Sequence, residues 1–399
     1  MPPPTTPYEA VLHAARDVAE LDCALDAEML GGALLGSVYA IAEDDRADAV
    51  RDFVGGFLAA TGRRRTSAAT TIRQVFAALV PEAAGAAEVR PGPQSPPWVG
   101  QLGRVRLTGS YAYGDVYGDQ TSYLATFAYD GGDSGGPEHA VVALVDHNIG
   151  IAKDIFVGGP AEQILDRVRE LCDSDELTWF RIEEPGRLRT EVARHLEITD
   201  GLTELPADSS VATDRALLGA RLTVLPASGT PPLEEPARPR EPILSDFLAS
   251  PEASRFGLAA PADVDLPSRD FCLSLVFDHA DTLPEPDPLR FSPTVAELFM
   301  LDWVHRRAVL DDDDAAMLPR VARAWAAYAA RTRGLPDAAA AEIDAALEKL
   351  GPEFAKVQAT GERRSPATAA VAQLIAEGVD PSDPGAIDTW LAANRDKLS

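Results

Sequence analysis

At 399 residues the chain is longer than one hydrophobic core usually serves, so two or three folded regions are expected. Its net charge of −27 repels a phosphate backbone or an anionic bilayer, which excludes generic nucleic-acid and membrane-surface binding. No apolar run approaches the roughly 18 residues that span a bilayer. The start, from Met1 to Pro7, lacks the basic and apolar segments of a secretory signal, so the expected location is the cytoplasm.

Residues 8 to 80 read as helices. Val11, Ala15, Val18, Leu21 and Leu25 recur at helical spacing, Val50, Phe53, Val54, Phe57 and Leu58 repeat the pattern, and Thr71 to Leu79 continue it. Pro81 and the Ala/Gly/Pro-rich stretch to Pro97 end this region. The run Arg63-Arg64-Arg65 falls between two helices, where a solvated basic turn complements a helix C-terminus.

The texture changes at Trp98. Tyr123, Ala125, Phe127 and Tyr129 alternate with Leu124, Thr126 and Ala128, and Ala140–Val145 and Ile151–Val157 are short β-branched runs. These predict an antiparallel meander between Leu102 and Val157, with loops at residues 130–138 and 147–150. A helix follows, with Pro160 in its first position and Ile164, Leu165, Val168 and Leu171 facing inward. Thr178–Ile182 forms a further strand, and helices are expected around Leu188–Leu196 and Thr213–Leu222.

Six prolines between Pro226 and Pro242 predict an extended linker. Beyond it the pattern is helical. Leu318, Val321, Trp325 and Tyr328 make one inward stripe, stopped by Gly334 and Pro336. Ile343, Leu347, Leu350, Phe354 and Val357 make another, and Asp383-Pro384 caps a last helix bearing Ile387, Trp390 and Leu391. The fold class is therefore α+β, mainly α. Its parts are N-terminal helices (1–97), an α+β region (98–225), a linker (226–242) and an all-helical C-terminal domain (243–399).

Several motifs compete for chemistry. Gly132-Asp133-Ser134-Gly135-Gly136-Pro137 spells the nucleophile loop of chymotrypsin-like serine proteases. That family needs a histidine base in an upstream β-barrel. Here the single upstream histidine is His13, on a predicted helix, so Ser134 lacks a base and the protease reading is rejected. Cys23, Cys172 and Cys272 are too scattered for a disulfide framework or a zinc knuckle and read as buried apolar residues. Around Trp303, the basic residues His305, Arg306 and Arg307 precede Asp311–Asp314, which reads as a cation-stabilised helix end beside an acidic solvated turn. Asp278-His279 falls near Pro284, Pro286 and Pro288 and reads as loop.

The polar end of the meander gathers the remaining candidates: Asp115, Asp119, Gln120, Asp146, His147, Asn148 and Lys153. If the 130–138 loop closes a hairpin symmetrically, Ser122 opposes Asp146. A turn at 147–150 places Ile151 opposite Asp146 and Lys153 opposite Leu144, so Ser122, Asp146 and Lys153 share a face. Three readings follow. Asp119, Asp146 and His147 hold a hard divalent metal for hydrolysis, helped by Lys153. Alternatively the cluster binds a polar ligand or a partner peptide without chemistry. In the third, Asp146 pairs with Lys153 and the Asp and Asn residues end strands.

Abundant Ala, Arg and Pro beside four lysines fits a GC-rich bacterial genome, with a salt-rich cytoplasm as the second explanation. The stretches Trp98–Val105, Gly114–Tyr129, VVALVDHNIGIAKDIFV (Val141–Val157) and DPLRFSPTVAELFMLDW (Asp287–Trp303) are similar to those of a family of uncharacterised proteins from high-GC actinobacteria. The resemblance covers the middle region and part of the C-terminal one. It implies an architecture and a bacterial source but no reaction, and the family's loop around the Ser134 position is variable. The functional expectation is a cytoplasmic binding or scaffolding protein that takes a protein partner or small polar ligand, with no resident cofactor. The alternative is a metal-dependent hydrolase at the Asp119/Asp146/His147 edge.

Overall fold

The computed structural model describes residues 6–84, 95–207, 209–227, 239–259, 266–380 and 383–394. The fold is α+β and mainly helical, with one five-stranded antiparallel sheet. The chain divides into two compact units: Met1–Asp115 with Gln120–Glu234, and Val116–Asp119 with Glu235–Ser399.

Unit 1 opens with α1 (Pro7–Ala14), α2 (Ala24–Ile41), α3 (Arg46–Thr61), α4 (Ser67–Leu79) and the single turn α5 (Pro81–Ala84). Thr6, Asp45 and Thr66 cap α1, α3 and α4 by accepting from the backbone N–H three residues on. The apolar pattern from Val11 to Leu25 is not one helical repeat. Between α1 and α2 lies only a 3-10 turn at Val18–Glu20, and the extended chain after it offers the Leu21 carbonyl to Trp98 Nε1 at 2.7 Å. Among the described residues α2 alone is long and apolar enough to cross a bilayer. Half of it is buried within unit 1, and Glu28 on it is ion-paired in the core, which is the character of a core helix.

The sheet follows: β1 (Val105–Asp115), β2 (Gln120–Tyr129), β3 (His139–Asp146) and β4 (Ile151–Gly158) form the expected meander. After α6 (Ala161–Ser174), β5 (Thr178–Ile182) pairs with β1, giving the order β4-β3-β2-β1-β5. Helices α7 (Pro185–Asp200) and α8 (Val211–Leu222) complete the unit. Alternation on β2 and β3 divides the core. Tyr123, Ala125, Phe127, Val141, Ala143 and Val145 pack with Tyr39, Phe57, Phe76, Trp98 and Leu217, while Leu124, Ala140 and Val142 face α6. The N-terminal helices and the sheet, expected as separate regions 1–97 and 98–225, therefore share one core. On α6, Ile164, Leu165 and Val168 pack inward as expected, whereas Leu171 is exposed. Pro160 is the N-cap rather than the first helical residue.

Two close approaches need glycine. A Cβ on Gly36 of α2 would lie 2.4 Å from the Ala212 carbonyl oxygen of α8, and one on Gly31 would lie 2.4 Å from Val75 of α4. The outer edge of β4 is covered rather than left open. Ala152 exchanges hydrogen bonds with Thr199 Oγ1, Ser209 and Ser210 accept from or donate to the backbone at Lys153 and Ile155, and Asp214 accepts from the Val157 backbone. Pairing the edge with α7 and α8 side chains removes a template for aggregation.

Unit 2 contains α9 (Arg240–Leu248), α10 (Pro251–Arg255), α11 (Leu266–Ala280), α12 (Pro293–Glu297), a π-helical turn (Leu298–Trp303), α13 (Val304–Arg307), α14 (Asp312–Arg333), α15 (Asp337–Thr360), α16 (Pro366–Ala376) and α17 (Pro384–Asn394). Residues 228–238 of the expected linker lie outside the described residues. Its end is helical, because Pro242 sits in the first turn of α9, where its missing N–H has no helical partner to lose. The stripe Leu318, Val321, Trp325 and Tyr328 is buried, with Trp325 between Phe247 and Phe277 at ring separations of 5.0 and 5.1 Å. Gly334 ends α14 in the left-handed conformation at φ 69°. Leu391 is partly exposed and lies off the inward stripe of α17. The acidic run is not a solvated turn. Asp311 and Asp314 form a reciprocal capping box that starts α14, with Asp312 and Asp313 in its first turn, where the helix dipole favours them. His279 lies in the last turn of α11 rather than in a loop, and burial pushes its imidazole down to about 4.

Candidate functional site

The polar end of the meander is built on a two-residue shift from the symmetric register. Gln120 opposes Asp146, and Ser122 opposes Leu144. The shift arises because β2 runs on past its last pair, Phe127 with His139, before the Gly132–Ser134 turn. An even shift keeps every side chain on its face. On the other side Ile151 opposes Asp146 as expected, but Leu144 opposes Asp154. Lys153 is therefore the extra residue of a β-bulge.

Each candidate then has a definite place. Asp115 accepts from Gln120 N at 2.7 Å and closes the β1–β2 turn. Asp119 belongs to unit 2, where it pairs with Arg290 at 3.4 Å. Asp146 is buried; Oδ1 accepts from Asn148 N at 3.0 Å, while Oδ2 takes Gln120 Nε2 at 3.2 Å and Lys153 Nζ at 3.7 Å. Asn148 thus enters through its backbone in an Asx turn. His147 does not join Asp146. Its Nε2 lies 3.0 Å from Thr121 Oγ1, and its ring meets His195 of α7 edge-on at 5.6 Å. The carboxylates proposed as metal ligands are committed to other donors, and the imidazole faces a histidine that sequence spacing gave no reason to pair with it.

The Ser134 loop is structural. The Ser134 hydroxyl lies 3.2 Å from the Gly131 carbonyl, and the Gly135 carbonyl accepts from Leu25 N at 3.0 Å, docking the loop on the start of α2.

Among the described residues of unit 1, two of the buried polar networks hold an arginine paired with a carboxylate. In the first, Glu28 Oε2 accepts from Arg221 Nη2 at 2.5 Å and from the Tyr129 hydroxyl at 2.6 Å, and Oε1 accepts from Gly103 N at 2.7 Å. Arg221 Nε donates to His139 Nε2 at 3.1 Å. Burial first, and then the Arg221 charge, pushes His139 down to about 3, so it stays neutral. Every charge here is satisfied and sealed from solvent, which marks a core lock.

The second network opens into a cleft. Tyr39 of α2 donates to Asp200 Oδ1 at 2.7 Å, and Arg215 of α8 grips Asp200 through Nε at 2.9 Å and Nη2 at 2.5 Å. Burial and the Asp200 charge push the Tyr39 hydroxyl up, so it remains a donor. These groups line a cavity of about 570 Å³ between α2, α3, α7 and α8, with Leu35, Val50, Leu79, Leu196 and Leu222 as apolar lining. Tyr39, Asp200 and Arg215 are too far apart in sequence to form a motif. The signals available were weak: a tyrosine near the end of an apolar helix, and an arginine directly after Asp214.

Comparison with family models, with curated proteins and with solved structures finds no match for this chain.

Proposed function

We propose that the chain is a binding protein whose unit 1 cleft takes a small ligand with an apolar body and a positive charge. The observation that carries this reading is the cleft itself, whose volume of about 570 Å³ lies in the range of small-molecule sites. Asp45, Asp48, Glu82, Glu197 and Asp200 line it against Arg51 and Arg215. Arg51 pairs with Asp48 and Arg215 with Asp200, whereas among the described residues Asp45, Glu82 and Glu197 have no ion-pair partner. The hydrolase built on Asp119, Asp146 and His147 has less support, because both carboxylates already serve protein donors.

Thermal shift against matched ligands of one hydrocarbon skeleton ending in ammonium, hydroxyl or carboxylate tests the reading. The ammonium form is expected to stabilise the protein most, and Ala193→Trp, which fills the cleft from its exposed rim, abolishes that gain. Equal shifts in wild type and Ala193→Trp would remove the cleft from consideration.

A further inference from the structure

A cavity of about 410 Å³ lies wholly within unit 2, lined by the end of α10 and by α14 and α15. We propose that it binds a flat aromatic carboxylate, with Arg255 holding the carboxylate and Phe256 the ring, at a site separate from the unit 1 cleft and independent of the reading above. The space is left by short side chains. Ala326, Ala327 and Ala330 of α14 and Ala340 and Ala341 of α15 line it, at the spacings that keep residues on one helix face. Their methyl groups make a smooth apolar floor without filling the volume, which is enough for a small organic molecule.

The charged groups at this floor decide the sign of the ligand. Three arginines line the cavity: Arg255, Arg323 and Arg331. Arg323 holds Asp344 and Arg331 holds Glu252, whereas among the described residues Arg255 has no ion-pair partner. Two carboxylates also line it. Asp344 accepts from Nε and Nη2 of Arg323 at 3.0 and 2.8 Å, and Asp337 stands in the first turn of α15, where the helix dipole offsets its charge. The Arg255 cation is the charge left uncompensated. Its parallel N–H donors match the two oxygens of a carboxylate.

The ring half of the ligand follows from Phe256. This side chain is half-buried, and the Arg255 and Arg323 guanidinium carbons lie 5.4 and 5.9 Å from its ring centre. A flat ring laid on the alanine floor meets an aromatic edge or face and two cations, all of which favour a π-system over an aliphatic one. The wall that carries both residues is held firmly. Arg320 Nε and Nη2 donate to the Phe256 and Gly257 carbonyls at 2.6 and 2.8 Å, and Gly257 takes the left-handed conformation at φ 65°. Glu252, one turn before Phe256, accepts from Arg331 Nε at 2.6 Å and Nη2 at 3.1 Å.

The experiment titrates the full chain with 2-naphthoate by calorimetry, with neutral 2-naphthamide and with acetate in parallel. One equivalent of naphthoate is expected to bind, and the amide and acetate each about tenfold or more weakly. Arg255→Gln should weaken naphthoate about tenfold or more, and Arg255→Lys should weaken it less, since the charge stays and the paired donors go. Phe256→Leu should lower affinity, and Ala341→Trp, which fills the cavity from an exposed position on α15, should abolish binding. Asp337→Asn removes a rim carboxylate and should tighten binding by about twofold to fivefold. Arg167→Gln, at an exposed position on α6, is expected to bind as wild type. If Phe256→Leu or Ala341→Trp fails to fold by far-ultraviolet circular dichroism, the Arg255→Gln comparison decides. Failure of wild type to take up naphthoate would overturn the site, as would equal affinity for the amide or acetate. Wild-type affinity in Arg255→Gln, or weaker binding in Asp337→Asn, would overturn it as well.

Discussion

Asp214 gives the most direct test of how the β4 edge is held. It sits in the first turn of α8, its carboxylate accepts from the Val157 backbone, and burial raises it from an ordinary 3.8 to about 6. Burial disfavours the charged form here by more than the hydrogen bond favours it. The gap corresponds to a ceiling of about 3 kcal/mol, at about 1.4 kcal/mol for each pKa unit. Partial exposure and solvent screening bring this to about 1–2 kcal/mol. The sign follows from linkage: a carboxyl raised in the folded state contributes stability fully below pH 3.8 and loses it as pH rises through about 6. Asp214→Asn keeps an oxygen for Val157 N–H and removes the charge. The variant should be more stable than wild type by about 1–2 kcal/mol at pH 7.5, a rise of about 2–8 °C in Tm, and equal to it near pH 3.5. Buried His139 and His279 act in the opposite sense. Their imidazoles are depressed to about 3 and about 4, so they withdraw stability as pH falls below the ordinary histidine range. The difference between variant and wild type cancels that background. Thermal denaturation by circular dichroism across this pH range is the assay. A destabilised Asn variant at pH 7.5, with a difference that does not change with pH, would refute the reasoning.

Two further outcomes follow from the core of unit 1. Glu28→Gln leaves Arg221 buried without its counter-ion and should cost about 3–5 kcal/mol in denaturant unfolding, whereas Glu28→Met with Arg221→Met should recover most of that loss; a mild single variant would mean that water reaches the network. Asp146→Ala removes the cap of the His147 turn and the Lys153 pair, so it should cost about 1–3 kcal/mol. An unchanged melting temperature would show that the turn holds itself without the carboxylate.

Local chemistry determined more of this fold than of its candidate sites. Apolar and β-branched runs placed β2, β3 and β4, because a strand buried on both faces, as β2 and β3 are, needs an apolar set for each. Helical stripes such as Leu318 to Tyr328 were legible because a buried face repeats along the helix whatever it packs against. The register was not legible, since a nine-residue loop and a bulge at Lys153 leave no trace in alternation. Asp311–Asp314 shows the same limit: four carboxylates read as solvated until the helix they cap is seen. Charge pairing lay furthest from the sequence. Glu28 finds Arg221, Tyr39 finds Asp200 and His147 finds His195 only when α2, α7 and α8 close on the sheet. Periodicity records what one element buries, but a site is made by side chains from several elements, and their meeting is fixed by packing alone.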